Sequence, residues 1–180
     1  MNQRLLRRGA LTLVPIVAGT GVFQGYASLF GKRDQQGDIV QRGAFADCLK
    51  RRGVEGIRML FQHNASEPIG TWIDIRETSR GLYVLGRLDQ NLQRGRELLS
   101  LLESGGLDGL SIGFKTIRAR NNREAKVREL LEIDLWEISL VTFPMLDGAR
   151  VSAVRLAARA RANSLFKPMP DYENNVATTL

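Results

Sequence analysis

The strongest constraint on the fold is an alternating run between residues 107 and 118. Large side chains stand at every second position, namely Leu110, Ile112, Phe114 and Thr116. This spacing is typical of a β-strand with one packed face. Ser111 belongs to the other face, where its neighbours along the strand are Gly109 and Gly113. Two residues without side chains leave open space around one hydroxyl, which suits close backbone packing or the approach of a substrate carbonyl.

The position of the single histidine, His63, excludes one class of hydrolase. Gly-x-Ser-x-Gly also marks the nucleophile of α/β-hydrolases, in which the catalytic histidine follows the serine. Here His63 precedes Ser111, so that arrangement is impossible. In a predicted strand over 57–63, His63 shares its phase with Met59 and Phe61. We therefore expect it at the end of an apolar strand face, as a catalytic base or as a structural histidine.

A carboxylate in the run 132–141 is the candidate third group. Apolar residues occupy both phases of this run, which predicts a central strand covered on both faces. Glu137 shares its phase with Ile133 and Leu135, so its side chain is predicted to point inward. A buried carboxylate needs a partner, and an imidazole or an arginine is suitable. Asp134, in the opposite phase, remains the alternative.

Composition and patterning predict one β-rich α+β domain. A chain of 180 residues with 43% hydrophobic content is long enough to bury a substantial core. Alternation and amphipathic spacing give the expected elements. Strands are predicted at 22–30, 57–63, 69–76, 81–88, 107–118 and 128–142, and helices at 43–52 and 91–104.

Short blocks in a fixed order extend over residues 22–153. The principal blocks are Gly25-Tyr26-Ala27-Ser28-Leu29-Phe30, Leu60-Phe61-Gln62-His63-Asn64, Gly109-Leu110-Ser111-Ile112-Gly113-Phe114 and Glu137-Ile138-Ser139-Leu140-Val141-Thr142-Phe143-Pro144. In order and spacing they resemble the tailed-phage prohead maturation proteases. That family consists of serine endopeptidases related in fold to the herpesvirus capsid protease.

The resemblance implies a barrel-like sheet flanked by helices and a catalytic set of Ser111, His63 and Glu137. It further implies an endopeptidase that cleaves scaffold or capsid precursor segments, and itself, inside the assembling procapsid in the host cytoplasm. Self-association is an additional expectation. Two alternatives stay open, namely a non-enzymatic capsid-assembly protein that binds scaffold, and an esterase with the same three residues.

The numbers of cysteine and histidine residues restrict which metal sites, disulfides and cysteine nucleophiles the chain can form. One histidine and one cysteine do not build the usual zinc sites, so we expect neither a metal nor a cofactor. Cys48 is alone, which excludes an intramolecular disulfide. It is expected to be a small buried residue of the first helix, although a Cys48–His63 nucleophile pair is an alternative.

The formal net charge of +7 is concentrated at the chain ends. A basic helix is predicted over 149–163, either as a solvated surface or as a docking site for acidic partners. Specific nucleic-acid binding is not expected, because no aromatic residues alternate with the arginines. The apolar stretch 10–18 is too short for a membrane span. The predicted divisions are a flexible basic leader (1–21), a protease domain (22–153), and a basic helix with a disordered tail (154–180).

Overall fold

The computed structural model describes residues 21–154, which form eight strands and two helices. The elements, in chain order, are β1 (Val22–Leu29), β2 (Asp38–Val40), α1 (Ala46–Arg52), β3 (Arg58–Phe61), β4 (Asn64–Glu77), β5 (Gly81–Leu88), α2 (Gln93–Ser104), β6 (Gly109–Asn122), β7 (Val127–Val141) and β8 (Val151–Val154). The predicted strand-rich α+β class is confirmed.

All eight strands belong to one sheet in the order β2-β7-β3-β4-β5-β1-β8, with β6 paired to β7. The β2 and β3 strands run parallel to β7, and the remaining pairs are antiparallel. An isolated bridge between Gly109 and Arg150 brings the start of β6 close to β8. The sheet is not closed by a continuous ladder there, so "barrel-like" describes it only loosely.

The core is built from buried side chains of the sheet together with those of the two helices. Leu110 of β6, Leu135 and Leu140 of β7, and Leu98 of α2 are all almost inaccessible to solvent. Burying a leucine side chain contributes about 1.5–3 kcal/mol. This packing holds β6 and β7 rigidly together, and the site described below is built on that pair.

A β-bulge in β7 decides which face Glu137 occupies. Gly113 of β6 pairs with Glu137, whereas the next β6 residue, Phe114, pairs with Leu135, so Trp136 is the extra residue. Paired residues share a face. Leu135 therefore lies on the core face, and Glu137 lies on the opposite face beside Gly113. The prediction that Glu137 shares a face with Leu135 is wrong, because a bulge reverses the alternation.

Every strand and helix predicted between residues 22 and 142 is present, but β4 begins at Asn64 rather than at 69 and β6 extends to Asn122 rather than to 118. β5 has the predicted bounds, but β2 and β8 were not anticipated. β8 falls within the predicted basic helix 149–163, so the helix prediction is wrong over residues 151–154. Residues 149 and 150 are not helical either. Residues 155–163 of that helix, residues 1–20 of the leader and residues 155–180 of the tail lie outside the described residues. Within 21–154, no helix combines the length and the hydropathy that a bilayer span requires.

Candidate active site

His63 lies in a two-residue turn between β3 and β4. Phe61 and Asn64 pair across the turn, and the two residues between them, Gln62 and His63, have φ values of 53° and 58°. Positive φ at both central positions is the signature of a type I′ turn. The strand thus ends at Phe61, two residues before the predicted end, and His63 is a turn residue rather than the last residue of a strand face.

Strand β7 holds this turn in its left-handed conformation. The Gln62 N–H donates a hydrogen bond to the Leu140 carbonyl at 3.0 Å, and Gln62 Nε2 donates to Thr142 Oγ1 at 2.7 Å. The His63 N–H donates to Ser139 Oγ at 3.0 Å. A left-handed conformation at residues other than glycine is costly and persists where its surroundings determine it. The position of His63 is therefore fixed through its main chain as well as its side chain.

The imidazole of His63 contacts the carboxylate of Glu137. His63 Nδ1 is 2.6 Å from Glu137 Oε1, and an ionised carboxylate only accepts, so Nδ1–H is the donor. The hydrogen bond from Glu137 raises the pKa of His63 above its ordinary value, although partial burial opposes that change. The other ring nitrogen, Nε2, is left available for a second partner.

Ser111 lies next to this pair on the neighbouring strand. Ser111 of β6 pairs with Ser139 of β7, and Gly113 pairs with Glu137. Ser111 and His63 both line a cavity of about 270 Å³, with Leu110 and Met145 among its apolar walls. Within residues 21–154, no hydrogen bond joins the Ser111 hydroxyl to the imidazole. Such contacts commonly tighten only when substrate is bound.

The two glycines around Ser111 make room for β7 rather than for a substrate. A Cβ added to Gly113 would lie 2.0 Å from Glu137 Oε1, and one added to Gly109 would lie 2.3 Å from the Val141 carbonyl oxygen. The open space inferred from the sequence is therefore filled on both sides. Position 113 requires glycine because the Glu137 carboxylate occupies the space that a Cβ would fill.

Asp134, the alternative carboxylate, lies elsewhere and has other partners. It accepts hydrogen bonds from Arg51 and Arg52 of α1 and from the indole of Trp136. The bond from Arg52, followed by those from Trp136 and Arg51, holds the pKa of Asp134 well below its usual range. Of the two carboxylates, the structure thus brings Glu137 to His63, and Asp134 instead fixes α1 to the sheet.

Cys48 is the buried residue of α1 and packs against the Leu135 backbone of β7. The Leu135 N–H donates to Cys48 Sγ at 3.1 Å, the side chain is buried, and this burial raises the pKa of the thiol. Cys48 is absent from the lining of the cavity that His63 and Ser111 share. The Cys48–His63 alternative therefore has no geometric basis.

Sequence reasoning missed Ser139 as part of this site. Its hydroxyl donates to Glu137 Oε2 at 2.7 Å and accepts the His63 main-chain N–H. Ser139 stands two residues after Glu137 on the same strand face. That spacing was the available signal, because a polar residue in a buried strand needs a hydrogen-bond partner.

Comparisons with known proteins identify relatives of this chain among phage proteins. The chain is similar to the prohead protease of Enterobacteria phage HK97, with 34% identity over 137 residues, which is 75% of this chain and 60% of that protein. It is 27% identical to the prohead protease of Escherichia phage T5 over 70% of this chain and 59% of that protein. The chain thus spans about three fifths of the length of these curated relatives.

Among solved structures, the fold is similar to that of the bacteriophage T4 capsid assembly protease. The TM-score is 0.57 at 12% identity, with 68% of this chain and 82% of that chain covered. The match to the family model extends over residues 14–163 and includes all of the strands that carry the site. The chain therefore belongs to the caudovirus prohead serine protease family.

Proposed function

We propose that this chain is a serine endopeptidase in which Ser111 is the nucleophile, His63 the general base and Glu137 the group that orients His63. The observation that carries the proposal is the 2.6 Å contact between His63 Nδ1 and Glu137 Oε1 beside a cavity that Ser111 also lines. Nucleophile, base and orienting acid are recognised by such roles and geometry rather than by their order in the chain.

The proposed reaction is acyl transfer followed by hydrolysis. Ser111 Oγ attacks the scissile carbonyl carbon while His63 Nε2 takes the hydroxyl proton. Glu137 stabilises the imidazolium that forms, and His63 then returns the proton to the departing amine as the C–N bond breaks. A water molecule repeats these steps on the acyl-enzyme, which releases the acid and restores Ser111. A raised pKa of His63 favours the protonated intermediate state.

We infer that the substrates are segments of a capsid precursor or scaffold, and the chain itself, cleaved within an assembling procapsid in the host cell. The support is the family membership together with the name "prohead protease" carried by the HK97 and T5 relatives. The cavity beside Ser111 has an apolar part, which includes Ala27, Leu110 and Leu146, and a polar part with charged side chains such as Lys32 and Asp34. An extended peptide segment with an apolar side chain near the scissile bond suits such a surface.

The test is a time course of product masses for the purified protein with its capsid precursor, with and without Ser111→Ala. Ser104→Ala is the matched control, because Ser104 is exposed at the end of α2 and, within residues 21–154, its hydroxyl bonds only the Leu101 carbonyl. We expect cleavage by the wild type and by Ser104→Ala, and none by Ser111→Ala. Undiminished cleavage by folded Ser111→Ala would overturn the mechanism. Hydrolysis of esters but of no peptide would instead identify an esterase, and binding without cleavage an assembly protein.

A further inference from the structure

We propose that Ser139 is a positioning residue that couples the main chain of His63 to the carboxylate of Glu137. The inference rests on the proposed function, because it assigns Ser139 a role only through His63 and Glu137. It extends the site from three residues to four. Ser139 contributes by holding the other groups in place and does not touch the substrate.

The hydrogen-bonding capacity of one hydroxyl supports this role. A serine hydroxyl has one proton and two lone pairs. The proton is donated to Glu137 Oε2 at 2.7 Å, and a lone pair accepts the His63 N–H at 3.0 Å. Since the proton is committed to Glu137, the hydroxyl orientation is fixed. One side chain therefore defines the distance between the turn that bears His63 and the strand that bears Glu137.

Glu137 is held on both oxygens as a result. Oε1 accepts from His63 Nδ1 at 2.6 Å, and Oε2 accepts from Ser139. A carboxylate held at only one oxygen is free to rotate about its terminal bond. With Ser139 in place, rotation costs one hydrogen bond or the other. The carboxylate plane is thus fixed before substrate binds, which is the condition for effective electrostatic stabilisation of the imidazolium.

Ser139 lies where it cannot contact a substrate in the cavity beside Ser111. The residue has no solvent-accessible surface and is absent from the lining of the cavity beside Ser111. It lies in the interior of the sheet, paired on one side with Ser111 of β6 and on the other with Leu60 of β3. Its loss should therefore lower kcat and leave KM almost unchanged.

Ser139→Ala and Ser139→Thr form the matched pair, since threonine keeps the hydroxyl. We expect Ser139→Ala to lower kcat about tenfold to a hundredfold, as expected for a displacement of catalytic groups by up to about 1 Å. Ser139→Thr should recover most of that loss, and Ser104→Ala should have no effect. If Ser139→Ala does not fold by circular dichroism, Ser139→Cys takes its place, because a thiol fills the space but donates weakly.

A nuclear magnetic resonance titration gives a readout that is independent of turnover. His63 is the single histidine of the chain, so its ring signals need no assignment, and Ser111→Ala removes any cleavage during the measurement. If Ser139 positions Glu137, Ser139→Ala loosens the contact and the pKa of His63 falls toward 6.5. A rise would instead mean that Ser139 only competes with His63 for the carboxylate. A rise or an unchanged pKa, or a kcat equal to that of the wild type, would overturn the inference.

Glu137→Gln in the same assays distinguishes this inference from the proposed function. An active Glu137→Gln enzyme would contradict the assignment of Glu137 and with it the basis of the inference. An impaired Glu137→Gln enzyme together with a fully active Ser139→Ala enzyme would contradict the role of Ser139 alone. The combination we expect is that both variants are impaired and that Glu137→Gln adds little to Ser139→Ala.

Discussion

Replacing Gly113 with alanine tests how closely β6 fits around Glu137. The added Cβ would lie 2.0 Å from Oε1 and 2.8 Å from Cδ of Glu137. Ordinary van der Waals contacts between heavy atoms begin at about 3.5 Å. The carboxylate therefore has to move by roughly 1.5 Å. Its contact with His63 is 2.6 Å long, so a displacement of that size breaks the hydrogen bond.

The size of the effect follows from what the hydrogen bond does. A bond to a charged group contributes about 1.5–3 kcal/mol, and a catalytic group misplaced by about 1 Å costs on the order of 10²-fold in rate. Among the described residues, Gly113 is not one of the glycines with positive φ, so alanine fits its backbone conformation. We therefore expect a folded Gly113→Ala variant with kcat lowered about 10²-fold and KM little changed.

The assay compares kcat and KM on one peptide substrate for Gly113→Ala and a control, Gly106→Ala. The nearest neighbour of a Cβ at Gly106 would be the tip of the flexible Leu101 side chain at 3.3 Å, so activity should be retained. In a Glu137→Ala background the clash is gone, and Gly113→Ala should lower the rate no further. Fully active Gly113→Ala, or losses that simply add in the double variant, would refute the reasoning.

Three further predictions concern the carboxylates, the pH dependence of activity and the pH dependence of stability. Glu137→Gln should lower kcat by at least tenfold. Asp134→Asn should instead lower the melting temperature and leave kcat largely intact, because Asp134 bonds the arginines of α1. Rates on one peptide and thermal melts check both expectations, and the reverse pattern would contradict the assignment. Since Glu137 raises the pKa of His63 above 6.5, activity should rise with pH through that raised pKa, and the rise should shift to lower pH in Glu137→Gln. The stability contributed by the His63–Glu137 pair should be complete below about pH 6.5 and decline as pH rises through the folded-state pKa. Identical pH profiles in the two proteins would show that Glu137 does not act on His63.

Long periodic segments were predictable from local pattern alone. β5 matches its predicted bounds, and β6 carries Leu110 and Phe114 on the core side as its alternation indicated. The two missed strands, β2 and β8, have three and four residues. They exist because of pairing with distant strands, β7 and β1. A periodicity search within one short segment has no access to such pairing.

The sequence pattern singled out the candidate residues but did not predict their geometry. His63 was placed at the end of a strand face, but positive φ at Gln62 and His63 makes it a turn residue, and neither residue is among those that announce a type I′ turn. Glu137 was selected by a phase argument that the bulge at Trp136 invalidates. A bulge depends on pairing with the opposite strand, which no single-strand pattern reveals.

The most direct test of the central claim is covalent labelling with a peptidyl phosphonate that reacts with activated serine hydroxyls. We expect one added label per chain, located on Ser111 by peptide mapping. We also expect labelling that is abolished in Ser111→Ala and slowed strongly in His63→Ala, while Ser104→Ala is labelled like the wild type. Labelling of a different residue, or labelling of Ser111 at the same rate without His63, would contradict the account.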